Sequence, residues 1–234
     1  MNTFKMTQNL TIVFDLDGTL IDTAPDLMGA HNHVMKKFGY ETKSTDDIRK
    51  LIGKGAKSLI GRSVWGQAKK EFSKIDNDEI KEEMVTEFIN YYGKNIANES
   101  KLINGSLDFL KWCKKNNISM GICTNKPENL AVDLLKKINV YNYFEYVAGS
   151  NTFDYRKPDP RHLTNVIEIM QGNLNKSLMI GDSETDSTTA KAADIPFILL
   201  ENGYTEKKPN EIPHDHLIKD FVGIEKIIST YLHD

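Results

Sequence analysis

Cysteine is scarce in this chain, and its scarcity excludes several classes of protein. The 234 residues include 2 cysteines, Cys113 and Cys123, which stand in separate apolar segments without metal-type spacing. A disulfide-stapled scaffold and a zinc ribbon are therefore excluded. We expect both residues to be buried, reduced thiols, as is typical of cytoplasmic proteins.

Long apolar runs and an excess of basic charge are also missing. No run of about 18 apolar residues occurs, so the sequence predicts no membrane-spanning helix. The chain has 30 basic and 33 acidic residues, and a net charge of -3 excludes a chain-wide basic field for nucleic acid. Residues 1–11 contain one lysine and no long apolar stretch, unlike a secretion signal. We therefore expect a cytoplasmic protein that binds neither nucleic acid nor a membrane.

Short apolar runs that end in polar residues dominate much of the chain. They lie at 10–14, 118–123, 177–180 and 195–200, with a weaker edge run at 216–218. Runs of this length, bounded by turn residues, are typical of strands buried on both faces. Helical spacing of apolar residues follows them, at 106–115, 128–138, 160–170, 185–193 and 222–232. This alternation predicts an α/β fold with a doubly wound parallel sheet.

The segment after the first strand differs, because it has helical spacing and no convincing strand. Its predicted helices are 24–38, 46–51, 54–64 and 78–92. We therefore expect two domains. The first is an α/β core of residues 1–21 and 97–234, and the second is a helical module of residues 22–96.

The strongest local signal follows the first strand, in Asp15-Leu16-Asp17-Gly18-Thr19. Side chains alternate along an extended chain, so Asp15 and Asp17 can face the same way. Two carboxylates at the carboxyl end of a buried strand lie where open α/β sheets bind ligands. Acids held this close repel each other unless a cation or a shared proton relieves them. The alternative interpretation is a plain turn, since Asp and Gly are common turn formers.

Further polar residues stand at the other strand ends and in one turn. Thr124 and Asn125 end the second strand and offer a hydroxyl, an amide and backbone N–H groups to an anion. Lys157 lies in a proline-rich turn and can bring a positive charge into a cleft, while Asp182 and Asp186 follow the third strand. Each could alone be a helix cap or a solvated surface residue. Their order along the chain favours one shared site.

These motifs resemble those of the haloacid dehalogenase superfamily, phosphatase branch. The resemblance rests on Asp15-Leu16-Asp17-Gly18-Thr19, Thr124, Lys157-Pro158 and Gly181-Asp182-Ser183 to Asp186. It covers nearly the whole chain and implies a Rossmannoid core with the helical module as an inserted cap. It also implies a phosphoric monoester hydrolase that acts on a small-molecule phosphomonoester with Mg²⁺ as cofactor.

The resemblance implies a role for each matched residue. Asp15 would be the nucleophile that forms an aspartyl-phosphate, and Asp17 would protonate the leaving alkoxide and then activate water. The implied metal residues are Asp15, the backbone carbonyl of Asp17, Asp182 and, through metal-bound water, Asp186. The implied contacts to the substrate, including its phosphoryl oxygens, are Gly18, Thr19, Thr124, Asn125 and Lys157.

Within the superfamily the chain most resembles phosphoglycolate phosphatases. Three segments carry this resemblance: Asp22-Thr23-Ala24-Pro25-Asp26-Leu27, the run from Ile48 to Ala56, and Asn202-Gly203-Tyr204. The chain departs from the pattern at Lys54, where asparagine is more usual, and at Asp194, where glycine is usual. A small anionic leaving group such as glycolate favours a cation near the cap loop. Lys54, with Arg49 nearby, is therefore predicted to contact substrate; a solvated lysine in a plain turn is the alternative.

Other functions on the same fold stay open at this point. A sugar-phosphate phosphatase shares much of the pattern, and so does a phosphomutase of the β-phosphoglucomutase kind. A non-catalytic binding protein is a further alternative, since fold alone does not dismiss it. The presence of all four acids, Asp15, Asp17, Asp182 and Asp186, argues against a non-catalytic protein. The oligomeric state is left open between a monomer and a homodimer.

Overall fold

The structure is a computed structural model that describes residues 9–65 and 79–232. The N-terminal segment 1–8, on which part of the secretion-signal argument rests, lies outside the described residues. Asp78, the predicted first residue of a helix, also lies outside them. Among the described residues no helix has both the length and the apolar character needed to cross a membrane. Cys113 and Cys123 are both buried and free, as predicted.

Parallel strands form the central sheet, which confirms the predicted α/β fold. The strands are β1 (Thr11–Phe14), β4 (Ser119–Cys123), β5 (Tyr146–Ala148), β6 (Ser177–Gly181), β7 (Phe197–Leu200) and β8 (His216–Ile218). Their spatial order is β5-β4-β1-β6-β7-β8. Phe14 of β1 is in register with Ile122 of β4 and with Ile180 of β6. The carboxyl ends of these three strands therefore meet at one edge of the sheet.

Between β2 (Ile21–Asp22) and β3 (Lys101–Leu102), which pair antiparallel, the described chain is helical. The helices are α1 (Ala24–Lys37), α2 (Thr45–Arg49), α3 (Ala56–Trp65) and α4 (Glu79–Asn95). The predicted helix over 54–64 begins at Ala56, because Gly53 and Gly55 have φ of 95° and 84°. The buried Asp26 carboxylate accepts hydrogen bonds from the backbone N–H groups of Glu99 and Ser100, at 3.0 and 2.9 Å. This joins the start of the helical segment to its end.

The remaining helices cover both faces of the sheet. They are α5 (Ser106–Lys115), α6 (Glu128–Lys137), α7 (Pro160–Ile169), α8 (Glu184–Ala192) and α9 (Glu225–Leu232). Alternation along β1 sends Ile12 and Phe14 into one apolar cluster and Val13 into the other. Helices α5, α6 and α9 contribute to the first cluster, and α7 and α8 to the second. Burial on both faces explains why the strands are unbroken apolar runs.

Candidate active site

The loops after β1, β4 and β6 place the candidate site at one edge of the sheet. Asp15 directly follows β1, and its backbone N–H donates to the carbonyl of Ile180 in β6 at 2.9 Å. Thr124 directly follows β4, and its backbone N–H donates a hydrogen bond of 3.0 Å to the carbonyl of Ala148 in β5. Asp182 directly follows β6. Residues far apart in the sequence thus meet where parallel sheets bind ligands.

Three buried carboxylates and one buried lysine form the centre of this site. Asp15, Asp182 and Asp186 offer oxygens that all lie within 4.8 Å of one another. The Lys157 ammonium is 2.9 Å from Asp15 Oδ1 and 2.6 Å from Asp186 Oδ1. One cation therefore faces three acids, and the cluster is short of positive charge when all of them are ionised.

The buried charges shift one another's protonation. Burial raises the pKa of Asp15 to about 6, although the Lys157 charge opposes that rise. Burial, together with the charges of Asp15 and Asp186, raises the pKa of Asp182 well above its ordinary value. Burial alone would lower the pKa of Lys157, but the two carboxylates beside it outweigh burial and raise the pKa. A further cation at this site would therefore stabilise the ionised form of these acids.

Hydrogen bonds fix the two acids that follow β6. Asp182 accepts from the Thr19 hydroxyl at 2.9 Å and from the Tyr204 backbone N–H at 2.5 Å. Asp186 Oδ2 accepts from the Ser183 hydroxyl at 2.6 Å and from its N–H at 3.1 Å, in a capping box that starts α8. Thr19, predicted to contact substrate, is placed by the structure on the carboxylate of Asp182.

The donor set fits a hard divalent cation such as Mg²⁺, which prefers oxygen ligands. Within the described residues, buried Asp15 Oδ1 receives no well-directed hydrogen bond, although Lys157 lies beside it. Burial raises the pKa of Asp15 and of Asp182, and the neighbouring acids add to both rises. A buried carboxylate oxygen in a cluster of three acids with one lysine is an environment that stabilises a metal ion.

Asp17 faces a different partner, which the sequence analysis missed. The Lys126 ammonium lies 2.8 Å from Asp17 Oδ1 and 3.1 Å from Oδ2, and the Thr23 hydroxyl donates to Oδ1 at 2.7 Å. Lys126 directly follows Thr124 and Asn125, so its position after β4 is the signal that could have found it. Burial opposes its charge, but Asp17 outweighs that effect and raises the pKa of Lys126.

A small cavity lies between Asp15 and Asp17 on one side and the helical segment on the other. Its volume is about 50 Å³. Its polar lining is Asp15, Asp17, Thr124, Asn125, Lys126 and the hydroxyl-bearing Tyr92. Its apolar lining includes Leu27, Ile52, Leu59, Phe88, Ile89 and Leu130. The cavity thus joins the acids of the sheet edge to an apolar wall from the helices.

The other predicted substrate residues lie around this cavity. The Asn125 amide donates to the carbonyls of Gly53 at 3.2 Å and Lys157 at 3.1 Å, so it bridges the helical segment and the lysine turn. Arg49 forms an ion pair of 2.6 Å with Asp22. Lys54 is exposed and lines a separate cavity beside Asn125 and Lys157. Contact of Arg49 and Lys54 with substrate stays a prediction.

A buried histidine holds the backbone of Lys157 in place. The backbone N–H of Lys157 donates to His162 Nδ1 at 3.1 Å, and the imidazole is fully buried. Burial, together with the nearby charge of Lys157, lowers the pKa of His162 to about 4. The neutral ring is therefore the form that keeps the lysine turn in place.

We expect His162→Asn to make the protein less sensitive to acid. Its amide oxygen can still accept from Lys157 but does not titrate. The unfolded histidine has a pKa near 6.5, so its contribution to stability is present above that pH and is lost as pH falls towards about 4. As pH is lowered from 7 to 4, the free energy of unfolding should therefore fall by about 3 kcal/mol more in the wild type than in His162→Asn. Urea unfolding at both pH values measures this difference.

The aspartates of the site are present in both proteins, so their opposite pH dependence cancels in that comparison. His216→Asn, on half-buried His216 at the far edge of the sheet, is the matched control and should behave like the wild type. Equal acid sensitivity of the wild type and His162→Asn would show that the imidazole does not carry this effect.

Comparison with known families places this chain among hydrolases. Residues 12–200 match the model of the haloacid dehalogenase-like hydrolase family. The chain is 36% identical over 210 residues to a phosphoglycolate phosphatase of Mesorhizobium japonicum, covering 90% of each chain. It is also 36% identical over 222 residues to a phosphoglycolate phosphatase of Agrobacterium fabrum, covering 93% of each.

Solved structures show the same architecture. The crystal structure of "a predicted phosphoglycolate phosphatase" from Haemophilus somnus 129pt superposes with a TM-score of 0.87 at 28% identity. The match covers 95% of this chain and 99% of that one. The fold therefore agrees with that of a solved relative.

Proposed function

The chain belongs to the haloacid dehalogenase-like hydrolase family and is a phosphoric monoester hydrolase, and we propose that it hydrolyses 2-phosphoglycolate in a Mg²⁺-dependent reaction. The observation that carries the mechanism is the buried cluster of Asp15, Asp182, Asp186 and Lys157. It sets a carboxylate nucleophile beside fixed positive charge at the edge of the sheet. Both are needed for attack on an anionic phosphate ester.

In the first half of the reaction Asp15 attacks phosphorus, and the bond from phosphorus to the leaving oxygen breaks. Asp17 gives its proton to that oxygen, so glycolate leaves as a neutral alcohol group. The product left on the enzyme is an aspartyl-phosphate on Asp15. Thr124, the backbone N–H of Asn125 and Lys157 hold the phosphoryl oxygens, and the fixed Lys157 charge stabilises the transition state.

In the second half Asp17, now a carboxylate, takes a proton from water. That water attacks the aspartyl-phosphate, which releases phosphate and restores Asp15. The Thr23 hydroxyl and the Lys126 ammonium orient the Asp17 carboxylate for this second step. The same acid thus serves leaving group and water in turn.

The carboxylates of Asp15 and Asp182 and the backbone carbonyl of Asp17 would hold Mg²⁺, with Asp186 supporting them. When bound, the ion supplies charge neutralisation between the nucleophile and the phosphoryl group. Asp186 already holds the loop of Asp182 through the Ser183 N–H and also holds Lys157. It therefore aligns both the metal ligands and the phosphate-binding lysine.

The helical segment, residues 22–96, acts as a cap over the core of residues 1–21 and 97–234. The Asn125 contact with Gly53 closes the cavity from the cap side. The antiparallel pair of β2 and β3 joins cap and core at two chain crossings. Closure excludes bulk water during the attack by Asp15, and reopening releases the product.

The size of the cavity supports a small leaving group. A volume of about 50 Å³ has room for on the order of three or four water-sized groups. The free space beside Asp15 and Asp17 is therefore small in this conformation, which favours a small leaving group over a hexose. The full-length relatives that carry the name phosphoglycolate phosphatase support the same substrate.

Phosphate release from a panel of phosphomonoesters tests the proposal. The panel contains 2-phosphoglycolate, several sugar phosphates and a nucleoside monophosphate, each with Mg²⁺ and with EDTA. We expect the kcat/KM for 2-phosphoglycolate to be at least tenfold above that for the other esters. We expect EDTA to abolish phosphate release. Broad low activity would withdraw the substrate, and an isomerised sugar phosphate as the product would favour the phosphomutase.

A further inference from the structure

We propose that Lys126 of the core and Tyr92 of the cap form a carboxylate subsite that selects phosphate esters of small α-hydroxy carboxylates. The proposal deepens the proposed function and rests on it. It assigns substrate selection to two buried residues that the motifs do not include. Lys126 and Tyr92 both line the cavity that holds Asp15 and Asp17.

Lys126 is the cation of this cavity among the residues that the structure describes. Only 3% of its side chain is exposed, and its ammonium touches both oxygens of Asp17. An ammonium has three N–H donors, and the Tyr92 side chain lies beside the one that Asp17 does not use. A buried ammonium attracts an anion more strongly than a solvated one, because water does not screen it.

The chemistry of the substrate sets where its carboxylate must lie. In a phosphorylated α-hydroxy acid, the carboxylate is attached to the carbon that bears the leaving oxygen. Asp17 hydrogen-bonds to that oxygen when it protonates it. A cation in contact with Asp17 is therefore within reach of the substrate's carboxylate, which lies two bonds from the same oxygen.

Tyr92 supplies the second donor from helix α4. Its side chain is buried, its hydroxyl lies within hydrogen-bonding reach of the Lys126 ammonium, and within the described residues no acceptor faces the hydroxyl proton. The Lys126 ammonium lies 4.4 Å from the centre of its ring, and the Phe88 ring stacks with the Tyr92 ring, with centres 6.2 Å and planes 4° apart. Leaving a buried hydroxyl unpaired is costly. An anion beside Lys126 would complete its hydrogen bonding.

This pair competes with Lys54 as the determinant of specificity. Lys54 is exposed and lines a cavity that contains neither Asp17 nor Tyr92. Solvent and salt screen such a charge. The two assignments are therefore separable by substitutions that affect one group and leave the other in place.

The test compares 2-phosphoglycolate with its neutral isostere, 2-phosphoglycolamide, by their kcat/KM values. The wild type should prefer the carboxylate, and Tyr92→Phe, which removes one hydroxyl, should reduce that preference about tenfold. Lys126→Met should reduce it further, whatever it does to turnover of both substrates through Asp17. The ratio of the two substrates isolates recognition from catalysis.

Matched controls make the same chemical changes nearby. Tyr91→Phe alters the neighbouring tyrosine of α4, which stacks on His33. Lys136→Met alters an exposed lysine that lies over the ring of Tyr141. Both should keep the wild-type ratio. Inhibition by 3-phosphonopropionate relative to propylphosphonate should repeat the pattern without turnover.

The outcomes separate the two proposals. If the wild type prefers the carboxylate but Tyr92→Phe and Lys126→Met keep that preference, the subsite is wrong and the proposed function stands. A loss confined to Lys54→Ala would likewise reject the subsite and return selection to the cap loop. A wild type that does not distinguish carboxylate from amide would reject the substrate itself.

Discussion

Replacement of Asp15 by asparagine is expected to abolish phosphate release and to make the metal-free protein more stable. The amide has no carboxylate oxygen for attack on phosphorus, so the aspartyl-phosphate does not form. We expect kcat to fall at least about 10⁴-fold, as for removal of other nucleophiles that form covalent intermediates. Wild-type activity in this variant would reject the mechanism.

The gain in stability follows from the direction of the pKa shift. Burial raises the pKa of Asp15 to about 6 in the folded protein, against about 3.9 in the unfolded chain. An acid whose pKa is higher in the folded protein favours folding below pH 3.9, and that contribution to stability is lost as pH rises through about 6. At pH 7 the ionised carboxylate thus costs the fold on the order of 3 kcal/mol. Asparagine removes that cost but also removes one partner of Lys157, so we expect a net gain of about 1–3 kcal/mol.

Urea unfolding at pH 7 in EDTA measures this change beside the activity assay. Asp133→Asn, on the exposed face of α6, is the matched control and should change neither quantity. An inactive but destabilised Asp15→Asn protein would show that the carboxylate supports the fold. Loss of activity with a gain in stability separates a catalytic role from simple misfolding.

Local sequence was enough to predict the sheet and most of the acid cluster, because strand ends and turn chemistry are local signals. The apolar runs before Asp15, Thr124 and Asp182 place those residues at one edge of a parallel sheet. Strand β5, Tyr146–Ala148, was missed. Its place beside β4 is set by pairing, which sequence spacing does not reveal.

Residues whose role depends on a contact between cap and core could not be predicted from the sequence. Tyr92 lies on a helix whose apolar spacing predicts only packing, and its approach to Lys126 needs both domains in place. Tyr204 also links distant parts, since its N–H bonds to Asp182 and its hydroxyl to Asp22 at the start of the cap. The sequence singled out the segment around Tyr204 by resemblance, but its contacts come from the fold.

Replacement of Lys157 by methionine should have the largest effect on stability. Lys157 is the cation within 3 Å of Asp15 and Asp186, at 2.9 and 2.6 Å. Its loss leaves three buried acids facing one another, and breaking such a buried pair costs about 3–5 kcal/mol. Turnover should fall about 10²–10³-fold as well, because a fixed charge on the phosphoryl oxygens is lost.

The two effects respond differently to solution conditions. Mg²⁺ or a pH below about 6 should restore much of the stability of Lys157→Met, since either one neutralises the acids. Neither should restore turnover, because protonation removes the nucleophile and the ion does not replace the lysine. Urea unfolding in EDTA and in Mg²⁺, at pH 7 and 5.5, measures this. Lys111→Met, on an exposed ion pair with Asp108, is the control and should stay within about 0.5 kcal/mol of the wild type.

The double variant Asp15→Asn with Lys157→Met decides whether the acids cause the loss. If repulsion among ionised carboxylates destabilises Lys157→Met, removing one of them should recover at least about 1 kcal/mol. If the loss comes from the packing of the lysine side chain, the two changes should not couple, and Mg²⁺ should not help. Coupling together with rescue by Mg²⁺ would show that Lys157 substitutes in part for the metal in the resting protein. That result would explain how three acids stay buried at one strand edge before substrate arrives.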